Sequence, residues 1–311
     1  MPGQGELALR IAHIVLSMIL FTAAAQAAED CHLKAIASLP MGFDDAGGAV
    51  VPMTIDAHEV KLLVDTGGFG SMLTAATAAR LGLETRHVIG EMTMFGGMRI
   101  DRYVTAHDIL IGNLKAANYE FLILPDGVLH GADGTLAPDI LLAFDNDFDF
   151  ANAKLNLMSA DHCPGEVVYW TKEPYAELHF RLDQARHIEL HVELDGKSVL
   201  ALLDTGSSQS NMSLDSAEAL FGLSDDNPDL KVAEGVFING MKNIPTYYYP
   251  FKALQFGGVA VNNPKIHLNR NSDAQPGDEP RLTLGMNILR QLHFYISYRD
   301  KTLYITPASA H

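Results

Sequence analysis

The sequence predicts an all-β protein made of two similar halves, and three observations lead to this fold class. Short apolar runs alternate with turn-forming residues, and helical patterns cover only one or two turns at a time. An Asp-Thr-Gly triplet follows an apolar run at residues 65–67 and again at residues 204–206, 139 positions later. The order of predicted elements around the first triplet is repeated around the second, which indicates an internal duplication.

In the first half, two strands joined at Asp56-Ala57 lead to the first triplet. A short helix follows, with Thr74 as its cap and Gly82 as its end. Further along, the pattern predicts a hairpin over 88–103, strands over 107–111 and 116–124, a helix over 138–144, and a closing hairpin of 147–150 with 154–158.

The second half repeats this order. Asp195-Gly196 joins the two strands before the second triplet, and Ser213 and Gly222 bound the following helix. The pattern then predicts a hairpin over 232–249, strands over 254–256 and 259–261, a helix over 286–291, and a closing hairpin of 293–297 with 302–306. Residues 163–177 are the predicted connection between the halves.

The composition excludes some classes of partner. The 311 residues suit two domains or lobes, and a hydrophobic content of 48% leaves room for a sizeable core. The net charge is −16, from 22 Lys and Arg against 38 Asp and Glu. Nucleic acids and anionic membrane surfaces select basic patches, so neither is an expected partner.

The N-terminus has the layout of a secretory signal. Arg10 precedes the apolar run 11–21, and Ala25-Gln26-Ala27 forms a small-x-small cleavage site. We therefore predict a signal peptide over 1–27, cleavage after Ala27, and a periplasmic or secreted protein with no stable membrane insertion. An uncleaved anchor is the alternative, although the run is short for a bilayer span.

The chain has two cysteines, Cys31 and Cys163. Because export leads to an oxidising compartment, an even count there predicts a disulfide between them. Such a bond would tie the mature N-terminus to the junction of the halves. The alternative is two unpaired thiols.

With these residues, the chain resembles the aspartic proteases, most closely the retropepsin-like kind found in bacteria. The matching segments are 65–67, 204–207, and 282–289, where an apolar pair, a glycine and a helix follow one another. The resemblance implies a two-lobed acid-protease β-barrel fold with a few short helices and an N-terminal lobe over 28–165. The C-terminal lobe would cover 166–311, and both lobes would pair within one monomeric chain.

The resemblance also implies the site residues. Asp65 and Asp204 would be the catalytic pair, because two adjacent carboxyl groups share one proton and can activate a water molecule. The supporting residues of the active-site loops would be Thr66, Gly67, Thr205, Gly206 and Ser207, and the flap tips would be Gly96, Gly97 and Gly240. The expected function is an exported aspartic endopeptidase acting on a peptide or protein, without metal or cofactor.

Two positions depart from the family pattern. Gly68 stands where Ser or Ala is commoner, so one hydroxyl near the carboxylate is missing. Ala137 stands where the second signature has glycine. These departures leave a non-catalytic peptide-binding protein as the alternative function, and a homodimer that pairs like halves between chains as the alternative architecture.

Two spacings of acidic residues and histidines resemble metal-binding motifs, but neither fits one. The acidic residues Asp145, Asp147 and Asp149 have the spacing of a calcium loop, but the sixth position is Phe150 rather than glycine. A solvated acidic turn is therefore expected there. His187 and His191 are four residues apart on a strand, which is not a compact metal-ligand spacing, and they are expected to be ordinary surface or core histidines.

Overall fold

The computed structural model describes residues 32–94, 98–224, 226–236, 244–270 and 281–308. The described residues from Leu33 onward belong to one compact unit. The first-half strands are β1 (Ala35–Pro40), β2 (Gly42–Phe43), β3 (Ala49–Ile55), β4 (His58–Val64), β5 (Met72–Thr74), β6 (Thr85–Met94), β7 (Met98–Ile111), β8 (Leu114–Leu124), β9 (Gly134–Leu136), β10 (Asp145–Asp149) and β11 (Lys154–Met158).

The described residues of the second half form another twelve strands. They are β12 (Ala176–Leu182), β13 (Ile188–Leu194), β14 (Lys197–Leu203), β15 (Ser210–Ser213), β16 (Lys231–Val236), β17 (Ile244–Tyr248), β18 (Ala253–Phe256), β19 (Val259–Asn262), β20 (Ile266–Asn269), β21 (Arg281–Leu284), β22 (Leu292–Ser297) and β23 (Thr302–Pro307). The helices in the described part of the chain are α1 (Ala75–Arg80), α2 (Pro138–Leu141), α3 (Leu214–Phe221) and α4 (Met286–Leu289). None of these four is long and apolar enough to cross a membrane.

The fold is all-β and two-lobed, as predicted. Strands β2 to β9 form an eight-stranded sheet within the first half, and the strands of the second half join β1, β10 and β11 in a fifteen-stranded sheet. One apolar core runs through both halves, and the strands before the two triplets contribute Val64 and Leu203, which are completely buried. Burial of these strand ends fixes where each Asp-Thr-Gly loop begins.

The two halves use the same strand arrangement around their triplets. In the first, β9 runs parallel to β4 and antiparallel to β5, so it lies between the strands that flank the loop. In the second, β21 lies between β14 and β15 with the same directions. Each Asp-Thr-Gly loop therefore lies at the end of a strand that follows it in the chain, by 71 residues from Asp65 to Leu136 and by 80 residues from Asp204 to Leu284.

Several local predictions are confirmed. Asp56-Ala57 and Asp195-Gly196 are two-residue turns with positive φ at both positions, as tight hairpins require. Helix α1 is capped by the Thr74 hydroxyl, which accepts from the backbone N–H of Thr77. Helix α3 is capped in the same way by Ser213 and ends at Gly222, whose φ is 70°.

Other elements differ from the prediction. The predicted strand 107–111 is the end of the longer strand β7, which continues through Asp108. Asp108 has a φ of 46° and is left out of the pairing with β8. Strands β1 and β12 were not predicted. Strand β1 pairs with β11, which lies far away in the sequence, so no hairpin turn marks it. Strand β12 pairs with the distant β23 and, across the turn at 183–187, with β13.

The closing hairpins of the two halves pair with each other. Strand β10 runs antiparallel to β22, so one sheet passes from β1 through β11, β10, β22 and β23 to β12. This sheet holds the lobes together. It is formed by backbone hydrogen bonds between residues almost 150 positions apart in the chain.

The expectation of a solvated acidic turn is wrong. Asp145 and Asp147 are completely buried in β10, and each is paired with a histidine. His162 Nε2 lies 2.7 Å from Asp145 Oδ2, and His293 Nε2 lies 2.8 Å from Asp147 Oδ1. The calcium-like spacing therefore reflects alternate residues of a strand whose carboxylates have protein partners, which is what burial of a charge requires.

Candidate active site

Backbone hydrogen bonds place each aspartate at the end of its strand. The N–H of Asp65 donates to the carbonyl of Leu136 at 2.9 Å, and the N–H of Asp204 donates to the carbonyl of Leu284 at 3.0 Å. The acceptors end β9 and β21, the strands that lie between the flanks of each loop. The two loops are thus held by equivalent contacts in both lobes.

Reciprocal hydrogen bonds between two threonines join the loops across the lobes. The Thr66 hydroxyl donates to the carbonyl of Leu203 at 2.8 Å, and the Thr205 hydroxyl donates to the carbonyl of Val64 at 2.6 Å. Each hydroxyl also accepts from the backbone N–H of the other threonine, at 3.0 and 3.1 Å. Both residues are buried, so these four bonds are shielded from water and fix the spacing of the loops.

The two carboxyl groups face each other in one site. A β-carbon built on Gly67 would lie 2.5 Å from Asp204 Cγ, and one built on Gly206 would lie 2.4 Å from Asp65 Cγ. Each glycine is therefore required because the opposite carboxyl passes directly over its backbone. The two carboxyl groups are close enough to interact directly, and this interaction raises the pKa of Asp65. The structure thus brings together the two aspartates that the sequence predicts to be a pair.

The pair is electrostatically asymmetric. Asp204 Oδ1 accepts from the backbone N–H groups of Gly206 at 2.9 Å and Ser207 at 3.1 Å, whereas Asp65 Oδ1 accepts only from Gly67, at 3.2 Å. Burial raises the pKa of Asp65 well above its ordinary value, and the adjacent charge of Asp204 raises that pKa further. The additional N–H donor favours the ionised form of Asp204, and therefore favours the shared proton on Asp65.

Burial also raises the pKa of Asp204 above its ordinary value. The backbone N–H groups of Gly206 and Ser207 oppose this rise, because they donate to the charged form of the carboxyl group. Both aspartates remain partly exposed, so a substrate can reach them.

The two departures from the family pattern are neighbours in the first lobe. A β-carbon built on Gly285 would lie 2.4 Å from the carbonyl carbon and oxygen of Gln209, so the second lobe requires glycine there. In the first lobe, Ala137 is completely buried, and a β-carbon built on Gly68 would lie 3.2 Å from its methyl group and 2.6 Å from Asp65 Oδ2. A side chain at position 68 would therefore be crowded by both Ala137 and the carboxyl group of Asp65.

The missing hydroxyl at Gly68 removes no bond to the carboxylate. In the other lobe, the Ser207 hydroxyl donates to the carbonyl of Gln209 at 2.8 Å. Its backbone N–H, which a glycine also possesses, is the group that contacts Asp204. The loop supports its aspartate through backbone donors rather than through side-chain hydroxyls.

Sequence reasoning missed a second pair of supports behind the loops. Ser71 Oγ donates to Asp139 Oδ1 at 2.7 Å and accepts from the N–H of Ala137 at 3.0 Å. In the other lobe, Ser210 Oγ donates to Asn287 Oδ1 at 2.8 Å and accepts from the N–H of Gly285 at 2.9 Å. The signal was available in the sequence. A serine follows each aspartate by six residues, and a residue with a side-chain oxygen lies two residues after Ala137 and two residues after Gly285.

Some predicted residues cannot be placed. Gly96, Gly97 and Gly240 lie outside the described residues, although the strands on either side of them form the antiparallel pairs β6–β7 and β16–β17. Cys31 and the predicted signal peptide 1–27 also lie outside them, so the pairing with Cys163 stays a prediction. In the part of the chain that the structure describes, no group of three or more His, Cys, Asp or Glu residues is arranged to hold a metal ion.

Comparison with known proteins agrees with the fold and with the duplicated loops. A family model described as aspartyl protease matches residues 51–143 and again residues 190–288, one match in each half and together more than half of the chain. The chain therefore belongs to the aspartyl protease family and consists of two retropepsin-like halves. No curated protein matches it.

Proposed function

We propose that this chain is an exported aspartic endopeptidase in which Asp65 and Asp204 activate a water molecule for attack on a peptide bond. The observation that carries the proposal is that these two carboxyl groups face each other, each lying over the glycine of the opposite loop, and that the loops are equivalent parts of the two lobes. Membership of the aspartyl protease family supports a protease-type function.

The asymmetry of the pair assigns a role to each aspartate. Asp204, stabilised as a carboxylate by two N–H donors, takes a proton from the water as its oxygen attacks the carbonyl carbon. Asp65 donates its proton to the carbonyl oxygen, which gives a neutral tetrahedral diol. Collapse of the diol breaks the C–N bond. One diol hydroxyl returns its proton to Asp65 as the carboxyl product forms, and the proton gained by Asp204 goes to the departing amine. The pair returns to its starting state with one shared proton.

Export is part of the proposal because of the N-terminal segment. The apolar run 11–21 and the site Ala25-Gln26-Ala27 predict that the mature protein begins at Ala28 in the periplasm or the medium. Edman sequencing of protein purified from those fractions of the native host would test this. Recovery of the full-length chain in the cytoplasm would contradict export without bearing on the chemistry.

The chemistry is tested by digesting a peptide library with the mature protein across the acidic and neutral pH range. Asp65→Asn and Asp204→Asn should each abolish nearly all cleavage, since both carboxyl groups serve in the same step. The double variant should be little worse than either single variant. Asp161→Asn is the matched control, since the Asp161 side chain is 92% exposed and should leave the rate unchanged.

Two results would count against the proposal. Cleavage that persists in Asp204→Asn would belong to a contaminating protease. Tight binding of peptides by the wild type without cleavage at any pH would favour the alternative of a non-catalytic peptide-binding protein. A peptide analogue with a hydroxyl at the cleaved carbonyl should inhibit the enzyme, because it resembles the tetrahedral diol.

A further inference from the structure

Each lobe presents an equivalent sheet face beside its aspartate. Val50 in lobe one and Glu189 in lobe two are both paired with the leucine that lies two residues before the aspartate. In lobe two, that leucine is Leu202, and it alternates with Leu203, which is completely buried in the core. Alternate residues of a strand share one face, so Leu202 lies on the same face as Asp204, opposite the core. Val50 and Glu189 thus occupy matching places on these faces.

In lobe one, this place is an open cavity of about 440 Å³. Its lining includes Gly42 of β2, Val50 and Pro52 of β3, and Lys61 of β4. A cavity of this volume can hold a side chain or a small ligand. The sheet face beside the first aspartate is therefore open to other molecules.

In lobe two, the same place holds an arginine cluster, which consists of Arg181, Glu189 and Arg281. Arg181 stands where lobe one has Gly42, since Gly42 pairs with Val50 and Arg181 pairs with Glu189. Arg181 Nε donates to Glu189 Oε2 at 2.9 Å. Arg281 Nη1 lies 3.1 Å from Glu189 Oε1 as an ion pair, without the alignment of a hydrogen bond.

The arginine cluster has donors to spare. The Glu189 side chain is only 4% exposed, whereas those of Arg181 and Arg281 are 65% and 51% exposed. Each guanidinium has five N–H donors in a planar fork, and among the described residues Glu189 is the only polar partner of either one. Two positive charges face one negative charge, in a protein whose net charge is −16. Such a group can bind a carboxylate of another molecule.

We propose that the arginine cluster binds a carboxylate of the peptide substrate, so that the enzyme prefers an acidic group on the lobe-two side of the cleaved bond. The role assigned to the cluster rests on the proposed protease function. Glu189 pairs with Leu202 and Arg281 pairs with Leu200, which lie two and four residues before Asp204. At about 3.3 Å per residue, the cluster lies roughly 7–13 Å along the strand from the aspartate, and an extended peptide covers that distance in about two to four residues.

Lobe one has no equivalent group for an anion. The strand register makes Asp133 the counterpart of Arg281. The Asp133 carboxylate accepts from the backbone N–H of Lys61 at 2.9 Å and from the Thr77 hydroxyl at 3.0 Å, and it forms an ion pair with Arg80. A second carboxylate would be repelled there. The preference for an acidic group should therefore apply to one side of the cleaved bond only.

The experiment measures kcat/KM for peptides that carry Glu or Gln at one of the four positions on either side of the cleaved bond. The wild type should prefer Glu about tenfold at one or two positions on a single side, and Arg181→Gln or Arg281→Gln should remove most of that preference. The values for the Gln peptides should change little. Arg102→Gln is the matched control, because the Arg102 side chain is 55% exposed and lies in lobe one, and its loss changes the net charge equally.

Further measurements separate recognition of charge from loss of structure. The preference for Glu should disappear below about pH 4, where the substrate carboxyl group is protonated, and it should weaken as salt is added. Arg281→Lys keeps the charge without the planar fork, so it should retain part of the preference, and it serves as the test if Arg281→Gln does not fold. Peptides with a free or an amidated C-terminus show whether a chain end rather than an acidic side chain supplies the carboxylate.

Binding to Asp204→Asn distinguishes this role from the protease proposal. By fluorescence anisotropy, the Glu peptide should bind about tenfold more tightly than the Gln peptide, and adding Arg281→Gln should remove the difference. Equal binding of the two peptides, together with an unchanged Glu preference in the arginine variants, would overturn the role of the cluster while leaving the protease proposal intact. Selective binding of the Glu peptide without cleavage by the wild type would support the cluster and contradict the protease proposal.

Discussion

The hydrogen bonds between Thr66 and Thr205 give the sharpest test of what holds the lobes in register. In Thr205→Val, the side chain keeps its volume and its branched shape, so no cavity forms. The variant loses two bonds, one to the carbonyl of Val64 and one from the N–H of Thr66. Both of these backbone groups then stay buried without a partner.

The size of the effect follows from those two groups. Each buried and unsatisfied backbone group costs about 1–3 kcal/mol, so the free energy of unfolding should fall by about 2–6 kcal/mol. This is a large part of the total stability of a typical protein, which is about 5–15 kcal/mol. Thr66→Val should lose a similar amount, since Thr66 makes the equivalent bonds to the other lobe.

The assay is equilibrium unfolding in urea, followed by tryptophan fluorescence and by circular dichroism. Thr85→Val is the matched control, because Thr85 is an exposed strand residue and its replacement should change stability by less than about 0.5 kcal/mol. A loss in Thr205→Val no larger than that of the control would refute the reasoning. It would mean that water or a shifted loop satisfies the two backbone groups.

Three further predictions follow. Gly206→Ala should abolish peptide cleavage, because the added methyl would lie 2.3 Å from Asp65 Oδ1, whereas Gly258→Ala, with nothing within 4 Å, should retain full activity in the same assay. Asp65→Asn should show a smaller drop in Tm than the wild type between about pH 4 and about pH 7. The reason is that the pKa of Asp65 is raised in the folded protein, so its contribution to stability is complete below the unfolded pKa and is lost as the pH rises through the folded pKa. A bond between Cys31 and Cys163 should leave no thiol to alkylate in the unreduced mature protein, as measured by intact mass, and two alkylated thiols would contradict it.

The features that could be predicted from sequence are those that a few neighbouring residues decide. Thr74 and Gly222 mark helix ends because a hydroxyl cap and a left-handed glycine act within one turn. The Asp195-Gly196 turn depends on the backbone freedom of two residues. The repeated Asp-Thr-Gly motif gave the resemblance to the aspartic proteases, and that resemblance implied that Asp65 and Asp204 face each other.

The features that were missed depend on contacts between distant parts of the chain. Pairing of β10 with β22 leaves no local pattern, since neither strand carries information about its partner. A solvated turn was predicted at Asp145 and Asp147 because their partners, His162 and His293, lie far from them in the sequence.

The sheet between the lobes also constrains the order in which the protein can fold. Strand β10 pairs with β22, so the first half keeps an unpaired strand edge until the C-terminal hairpin has folded onto it. Such an edge invites pairing with other chains, and charged side chains are a common protection against it. The sequence of β10, Asp-Asn-Asp-Phe-Asp, supplies three carboxylates to this strand. Until β22 is in place, the carboxylates that the folded protein buries against His162 and His293 therefore disfavour pairing of this edge with another chain.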